Sequence, residues 1–421
     1  MQLLIKNAIL VDPASKHHGE KVSVFLKNGQ IERLGKRLKA ERARVLDAQG
    51  AYLSAGWLDI GTTVGDPGYE HREDFSSVEK AALAGGYTAL ACLPNTHPAI
   101  HSKSEVLYVK NRSANSAVRF LPIGAVSENC EGKDITEMYD MRAAGAVAFS
   151  DGKKPVQDSG MMMRALQYVQ PFNGVIINQP LDKNISQNGQ LHEGVVSTSL
   201  GLRGIPGMAE ELIVQRDIYL SEYTDSNLHL LNISTAESVR LVRMAKKKGL
   251  KVTASVAALN LAFTDEALQG FDSNFKVLPP LRSEQDRKAL LEGLLDGTID
   301  IITANHTPLE AEAKELEFLY AKFGAIGLQT TFSVACQALG KQLTAELIAE
   351  KLAYGPRRIL GLPHSSIAVG KKADLALFSL NQNWKLSRKS ILSKSKNSPL
   401  IDQSLPGKVV AVVAGNSLFT A

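Results

Sequence analysis

Eight short apolar runs, each followed by a helical stretch, fill the middle of this chain and restrict what it can fold into. They lie at residues 88–93, 119–126, 145–150, 174–178, 228–233, 251–256 and 300–304, with one more ending just before Gly61. Eight parallel strands alternating with helices over roughly 250 residues have the size and rhythm of a TIM (β/α)8 barrel, an α/β fold whose chemistry sits at the C-terminal strand ends. The two ends of the chain read differently. Residues 1–50 alternate apolar and polar, and 22–34 holds two strand-like runs around Asn28-Gly29, a dipeptide favoured in two-residue hairpin turns. Strand-like runs return at 373–378 and 409–414. The expectation is one small composite β domain built from 1–50 and 360–421, with a barrel spanning 51–359.

A chain of 421 residues, 44% of them hydrophobic, can bury a large core. The net charge of +5 is spread over 48 basic and 43 acidic residues. The basic runs Lys246-Lys247-Lys248 and Lys394 to Lys396 read as solvated faces, so no nucleic-acid partner is expected. Cys92, Cys130 and Cys336 are far apart, lack Cys-x-x-Cys spacing, and read as buried thiols in a reducing compartment. No signal-like N-terminus and no run of about eighteen apolar residues is present, so no membrane partner and a cytoplasmic location are expected.

The ordered motifs carry a family resemblance. Asp66-Pro67-Gly68-Tyr69-Glu70-His71-Arg72-Glu73-Asp74, Ala84-Gly85-Gly86-Tyr87-Thr88, Pro94-Asn95-Thr96-His97-Pro98 and Ala148-Phe149-Ser150-Asp151-Gly152 resemble the type I dihydroorotases of the amidohydrolase superfamily. The likeness continues through Leu200 to Pro206, Ile233-Ser234-Thr235, Pro279-Pro280-Leu281-Arg282-Ser283 and Phe323-Gly324, and ends at Ile367 to Gly370 and Ser393 to Pro399. It implies an amidohydrolase-type barrel. It also implies zinc held by a His-x-His after strand one, a carboxylate after strand four and a His after each of strands five and six, with an Asp after strand eight moving the proton.

Carried onto this chain, the His-x-His falls at Gly61 and Thr63, within Asp59-Ile60-Gly61-Thr62-Thr63-Val64-Gly65. The strand-five His falls at Gln179, the strand-six His at Asn232 and the strand-eight Asp at Asn305; only Asp151 remains of the metal set. Imidazole and carboxylate stabilise a divalent ion that lowers the pKa of bound water. A carboxamide does neither job, and Asn305 cannot serve as a general base near neutral pH. The family's substrate-gripping Arg is Gly65, its Pro-His-His is Ala258-Leu259-Asn260, and the Asn of its Asn-Pro-Pro-Leu-Arg is Leu278. Asn95, a substrate contact in the family, is kept, and reads equally well as a turn cap.

Other residues offer little to rebuild a site. His71, Glu73 and Asp74 are close in sequence but are not metal ligands in the family. His306 reads as a hydrogen-bonded neighbour of the strand end and a pocket candidate beside Asn95 and Gly65. His97, His101 and His192 read as loop residues, and His17, His18 and His364 fall in the β domain or its linkers. His229, three residues before Asn232, is expected on the opposite strand face. Lys153 and Lys154 follow Asp151, and a carboxylated lysine there would lack partner ligands.

Gln179, Asn232 and Asn305 are expected to bond to one another across the mouth without a cation, because imidazoles and carboxylates stripped of metal would be costly there. The reading is a noncatalytic, metal-free dihydroorotase homologue linked to pyrimidine biosynthesis, with a structural or regulatory role. The resemblance implies aspartate transcarbamoylase as a candidate partner, and a homo-oligomer. Two alternatives stand beside it: an active zinc amidohydrolase on dihydroorotate or another cyclic amide with a relocated site, and a small-molecule binding module.

Overall fold

The computed structural model describes residues 1–39 and 42–420; residues 40, 41 and 421 of the expected β domain lie outside them. In chain order, β1 (Gln2–Val11), β2 (Lys21–Lys27), β3 (Gln30–Gly35), β4 (Arg44–Asp47) and β5 (Tyr52–Ala55) open the chain. The barrel strands follow as β6 (Trp57–Thr62), β7 (Tyr87–Cys92), β8 (Arg119–Gly124), β9 (Ala148–Phe149) and β10 (Val175–Asn178). After the short ribbon β11 (Leu191–His192) and β12 (Gly204–Ile205) come β13 (Asn227–Leu230), β14 (Val252–Ala257) and β15 (Ile301–Thr303). The chain ends with β16 (Asp374–Lys385), β17 (Ser404–Ala414) and β18 (Ser417–Thr420).

Eight strands pair in parallel in the order β15-β14-β13-β10-β9-β8-β7-β6, the near-closed barrel expected from the apolar runs. Between β15 and β6 the closure uses a side chain: Asp59 Oδ1 accepts the Ala304 N–H at 2.7 Å, and the Thr63 N–H reaches His306 O at 3.1 Å. Alternation along each strand divides the core. Leu58, Ile60, Ala89, Ala91, Ile123, Ile177 and Ile301 fill the barrel interior. Leu90, Phe149, Ile176, Leu228, Val256 and Ile302 face outwards into the larger core. Burying each of these Leu, Ile, Val and Phe side chains contributes about 1.5–3 kcal/mol.

The second sheet runs β18-β17-β16-β5-β1-β2-β3, with β4 on β1, and combines both chain ends. The hairpin forms at Asn28-Gly29, where both residues adopt positive φ (50° and 76°). Tyr52–Ala55, placed with the barrel by the sequence division, pairs with β1 and β16. Asp12 Oδ2 accepts the Ile367 N–H at 2.7 Å and ties the two ends together. All three cysteines are free and buried. Among the described residues no helix is long and apolar enough to cross a membrane.

Candidate functional site

The C-terminal strand ends converge on a polar mouth organised by Lys153, a residue the sequence reading weighed only as a carboxylated lysine. Its ammonium donates to Asn305 Oδ1 at 2.6 Å. Asn305 Nδ2 donates to Leu278 O at 3.1 Å, and Gln179 Nε2 donates to the same carbonyl at 3.2 Å. Lys153 as a residue keeps partial exposure, but its ammonium is enclosed, and burial brings its pKa down to about 8 against the pull of Asp59. Asp59 is pushed up to about 6 by burial, opposed by the Ala304 N–H and the Thr62 hydroxyl at 2.5 Å.

The expected mutual bonding of the three amides does not occur. Gln179 and Asn305 meet only through Leu278 O, and Asn232 Oδ1 instead accepts from Thr303 Oγ1 at 2.5 Å. The reason is directional: Asn232 (φ 59°) and Asn305 (φ 45°) leave strand geometry at their own positions, so each amide turns to the nearest donor or carbonyl. The same kink at Asn232 overturns the reading of His229. Both face the barrel interior, His229 Nε2 lying 3.2 Å from Ser255 Oγ and the Asn232 N–H donating to that oxygen at 2.9 Å. Burial holds His229 neutral, with its pKa lowered to about 3.

Asp151 is committed to the loop after β8. Its carboxylate accepts the Val126 and Ser127 N–H groups at 2.9 Å each and the Ser127 hydroxyl at 2.5 Å. Burial still raises its pKa. Asn95 is consumed in positioning the Lys153 loop: Nδ2 donates to Asp151 O at 2.9 Å and Oδ1 accepts the Lys153 N–H at 2.7 Å. Gly61 sits at φ +97°, and a Cβ there would lie 3.2 Å from the Leu231 side chain. At Gly65 a Cβ would fall 2.3 Å from Tyr69 O, so this backbone has no room for an arginine.

His306 is a structural neighbour of the strand end. Its Nδ1 accepts the Gly327 N–H at 3.2 Å, which leaves the ring proton on Nε2, 3.4 Å from Glu73 Oε2. Burial alone would raise the Glu73 pKa, but bonds from His306, Ser393 and Ser77 hold it below the usual range. Asp74 caps the helix Phe75–Ala84, and His71 is largely exposed, 4.0 Å from Glu310. His97 is exposed, His101 Nδ1 accepts the Asn129 N–H, and Arg282 lies 3.2 Å from His192 Nδ1. His17 pairs with Glu20 and His364 with Asp12, away from the mouth. Lys394 and Lys396 form a clasp rather than a solvated run: Lys394 bonds Asp74 and Glu70 O, and Lys396 bonds Ile391 O and Ser393 O.

The family's zinc positions hold no imidazole here, and only Asp151 keeps a carboxylate. Gly61 offers no donor, Asn232 Oδ1 and Asn305 Oδ1 are already accepting, and an ammonium stands where a second cation would be repelled. Among the described residues no three His, Cys, Asp or Glu side chains group as metal ligands.

Above the mouth, two buried lysines strap the loops together. Lys276 Nζ donates to Gln190 Oε1 at 2.5 Å and to Phe318 O at 2.7 Å, between the rings of Phe318 and Phe323. Lys314 Nζ donates to Ser273 O and, at 2.9 Å, to Lys322 O. Gln190 of the segment 183–200, and Lys314 and Phe318 of 310–322, are thus tied to residues 273–276. A lysine in the otherwise apolar stretch Phe275-Lys276-Val277-Leu278 was the available signal.

Such a barrel with a sheet from both chain ends is the fold of the hydantoinase-type amidohydrolases. It superposes on an L-hydantoinase (dihydropyrimidinase) from Arthrobacter aurescens with a TM-score of 0.87 at 23% identity, covering 99% of this chain and 96% of that one. A D-hydantoinase gives 0.85 at 19% identity, covering 100% and 95%. The dihydro-orotase-like family matches residues 51–238. Over 99% of its length the chain is 41% identical to the dihydroorotase of Pelotomaculum thermopropionicum, covering 97% of that protein, and 38% identical to that of Ruminiclostridium cellulolyticum, covering 98%. The chain belongs to the dihydroorotase-like family.

Proposed function

We propose that this chain is a noncatalytic dihydroorotase-like protein, serving pyrimidine biosynthesis in a structural or regulatory role. The observation that carries the reading is the Lys153 ammonium on Asn305 Oδ1. The position from which a carboxylate would move a proton holds a neutral amide, already committed to a cation. Hydrolysis of a ring amide at neutral pH needs an activated water and a base, and apart from Asp151 the family positions for both hold neutral side chains. Aspartate transcarbamoylase is the proposed partner and self-association the proposed state, both suggested by the family.

The competing reading is a working dihydroorotase, favoured by relatives that are 36–41% identical and carry that name. Metal analysis of protein purified without chelator, beside a ring-opening assay with and without added zinc, separates the two. The noncatalytic reading expects substoichiometric zinc and no turnover. Stoichiometric zinc with chelator-sensitive turnover would establish the competing one. Co-sedimentation with aspartate transcarbamoylase tests the partner, and a chain that sediments alone at micromolar concentration would remove it.

A further inference from the structure

We propose that a cleft between the end sheet and the outside of the barrel binds a flat aromatic carboxylate, its ring against Trp384 and its anionic end on the Lys408 ammonium. No residue of the mouth lines this cleft, so the inference stands whether or not the mouth is catalytic.

The cleft opens where β16, β17 and β18 meet the helices Phe75–Ala84 and Thr331–Leu339, and its volume is 420 Å³. Small-molecule sites span about 300–1,000 Å³ and are apolar apart from a few placed polar groups. This one fits that description. Its walls are Phe332, Trp384, Leu392, Val409 and Phe419, of which Trp384, Leu392 and Phe419 remain partly exposed. Trp384 Nε1 donates to Ser333 Oγ at 2.8 Å and to Gly407 O at 3.0 Å, which satisfies the polar edge of the indole. What the indole offers a ligand is apolar ring.

The polar groups of the lining decide the charge of the occupant. Ser333 donates to Gly407 O, Ser390 to Ser387 O, and Gln329 both donates to Ser390 O and accepts the Leu392 N–H. Lys385 meets Asp402 at 3.2 Å. Among the described residues, Lys408 Nζ and the Thr420 hydroxyl have no side-chain partner, and no acidic side chain lines the cleft. The groups left over are an ammonium and a hydroxyl, so the polar end of a ligand must accept hydrogen bonds and carry negative charge. One ammonium and one hydroxyl match the two oxygens of a carboxylate. The remainder of the ligand faces indole and phenyl groups, where a flat ring gains offset and edge contacts beyond simple burial.

Calorimetric titration of the full chain at fixed ionic strength tests this with 2-naphthoate as probe. 2-Naphthamide keeps the ring and lacks the charge, and octanoate keeps the charge and lacks the ring. Saturable binding of 2-naphthoate is expected, with 2-naphthamide about tenfold weaker and octanoate about fivefold weaker. Lys408→Met should weaken 2-naphthoate by the same tenfold while leaving 2-naphthamide unchanged, and Lys408→Arg should retain binding in part. Thr420→Trp, which fills the cleft without changing its charge, should abolish binding of both aromatic probes, and Lys154→Met should change nothing. Circular dichroism confirms that each variant folds. Equal binding of 2-naphthoate by wild type and Lys408→Met, or no binding by wild type, overturns the proposal. Octanoate binding as tightly as 2-naphthoate overturns the aromatic class and assigns the cleft to an aliphatic acid.

Discussion

Lys153 and Asn305 lie 152 positions apart in sequence, and an N–H···O bond of 2.6 Å joins them across the barrel mouth. It links the loop after β9 to the end of β15, and Asn95 holds the lysine's own backbone from the loop after β7. A positive charge therefore remains at the strand ends, carried by the chain itself.

Asn305→Asp gives the Lys153 ammonium a carboxylate in place of a neutral acceptor and turns an already charge-assisted bond into an ion pair. Pairing the enclosed charge should stabilise the fold by about 1 kcal/mol in urea unfolding at neutral pH. The variant should remain inactive, because Gly61 and Thr63 still provide no ligand. Ring hydrolysis by it would remove the noncatalytic reading.

Restoring the imidazoles should fail as well. The double variant Gly61→His, Thr63→His forces a β-carbon onto a residue at φ +97° and against Leu231, a strain of about 1–3 kcal/mol. A lowered melting temperature and no zinc uptake while Lys153 is present are expected; tight zinc binding by the double variant would contradict the fit argument.

Lys276→Met leaves Phe318 O, Leu319 O and Gln190 Oε1 without their shared donor. Amide exchange across 310–322 should accelerate by about tenfold or more, with the end sheet unaffected. Unchanged protection would show that the strap is not held by this ammonium.

Stability should depend on pH in the alkaline range. Burial lowers the pKa of Lys314 and Lys351 to about 8 from an ordinary 10.5. Between these limits the unfolded chain holds more protons than the folded one, so stability rises as pH increases through this window. The penalty of the buried charges is fully present below it. Each lysine contributes less than about 1.4 kcal/mol per pH unit, and denaturation midpoints from about pH 7.5 to 9.5 should climb, less steeply in Lys351→Met.

Much of the fold was legible because it depends on local periodicity. The apolar runs that became β6–β10 and β13–β15, and the Asn28-Gly29 turn, state their own geometry. At the site, the identities of Gly61, Thr63, Gln179, Asn232 and Asn305 at the family's ligand and base positions can be read without coordinates. What occupies the mouth was not, since nothing local distinguishes Lys153 from the exposed Lys154 beside it.

The amino-acid sequence by itself determined the barrel, the sheet shared by the chain ends and the neutral chemistry of the strand-end side chains, because these follow from residue type and short-range pattern. Only the tertiary structure decided where the amides point, that Asp151 is spent on Val126 and Ser127, and that the Lys153 ammonium stands in the mouth. Those outcomes depend on backbone kinks at Asn232 and Asn305 and on partners many residues away, and a side chain's direction exists only once those distant segments have packed together.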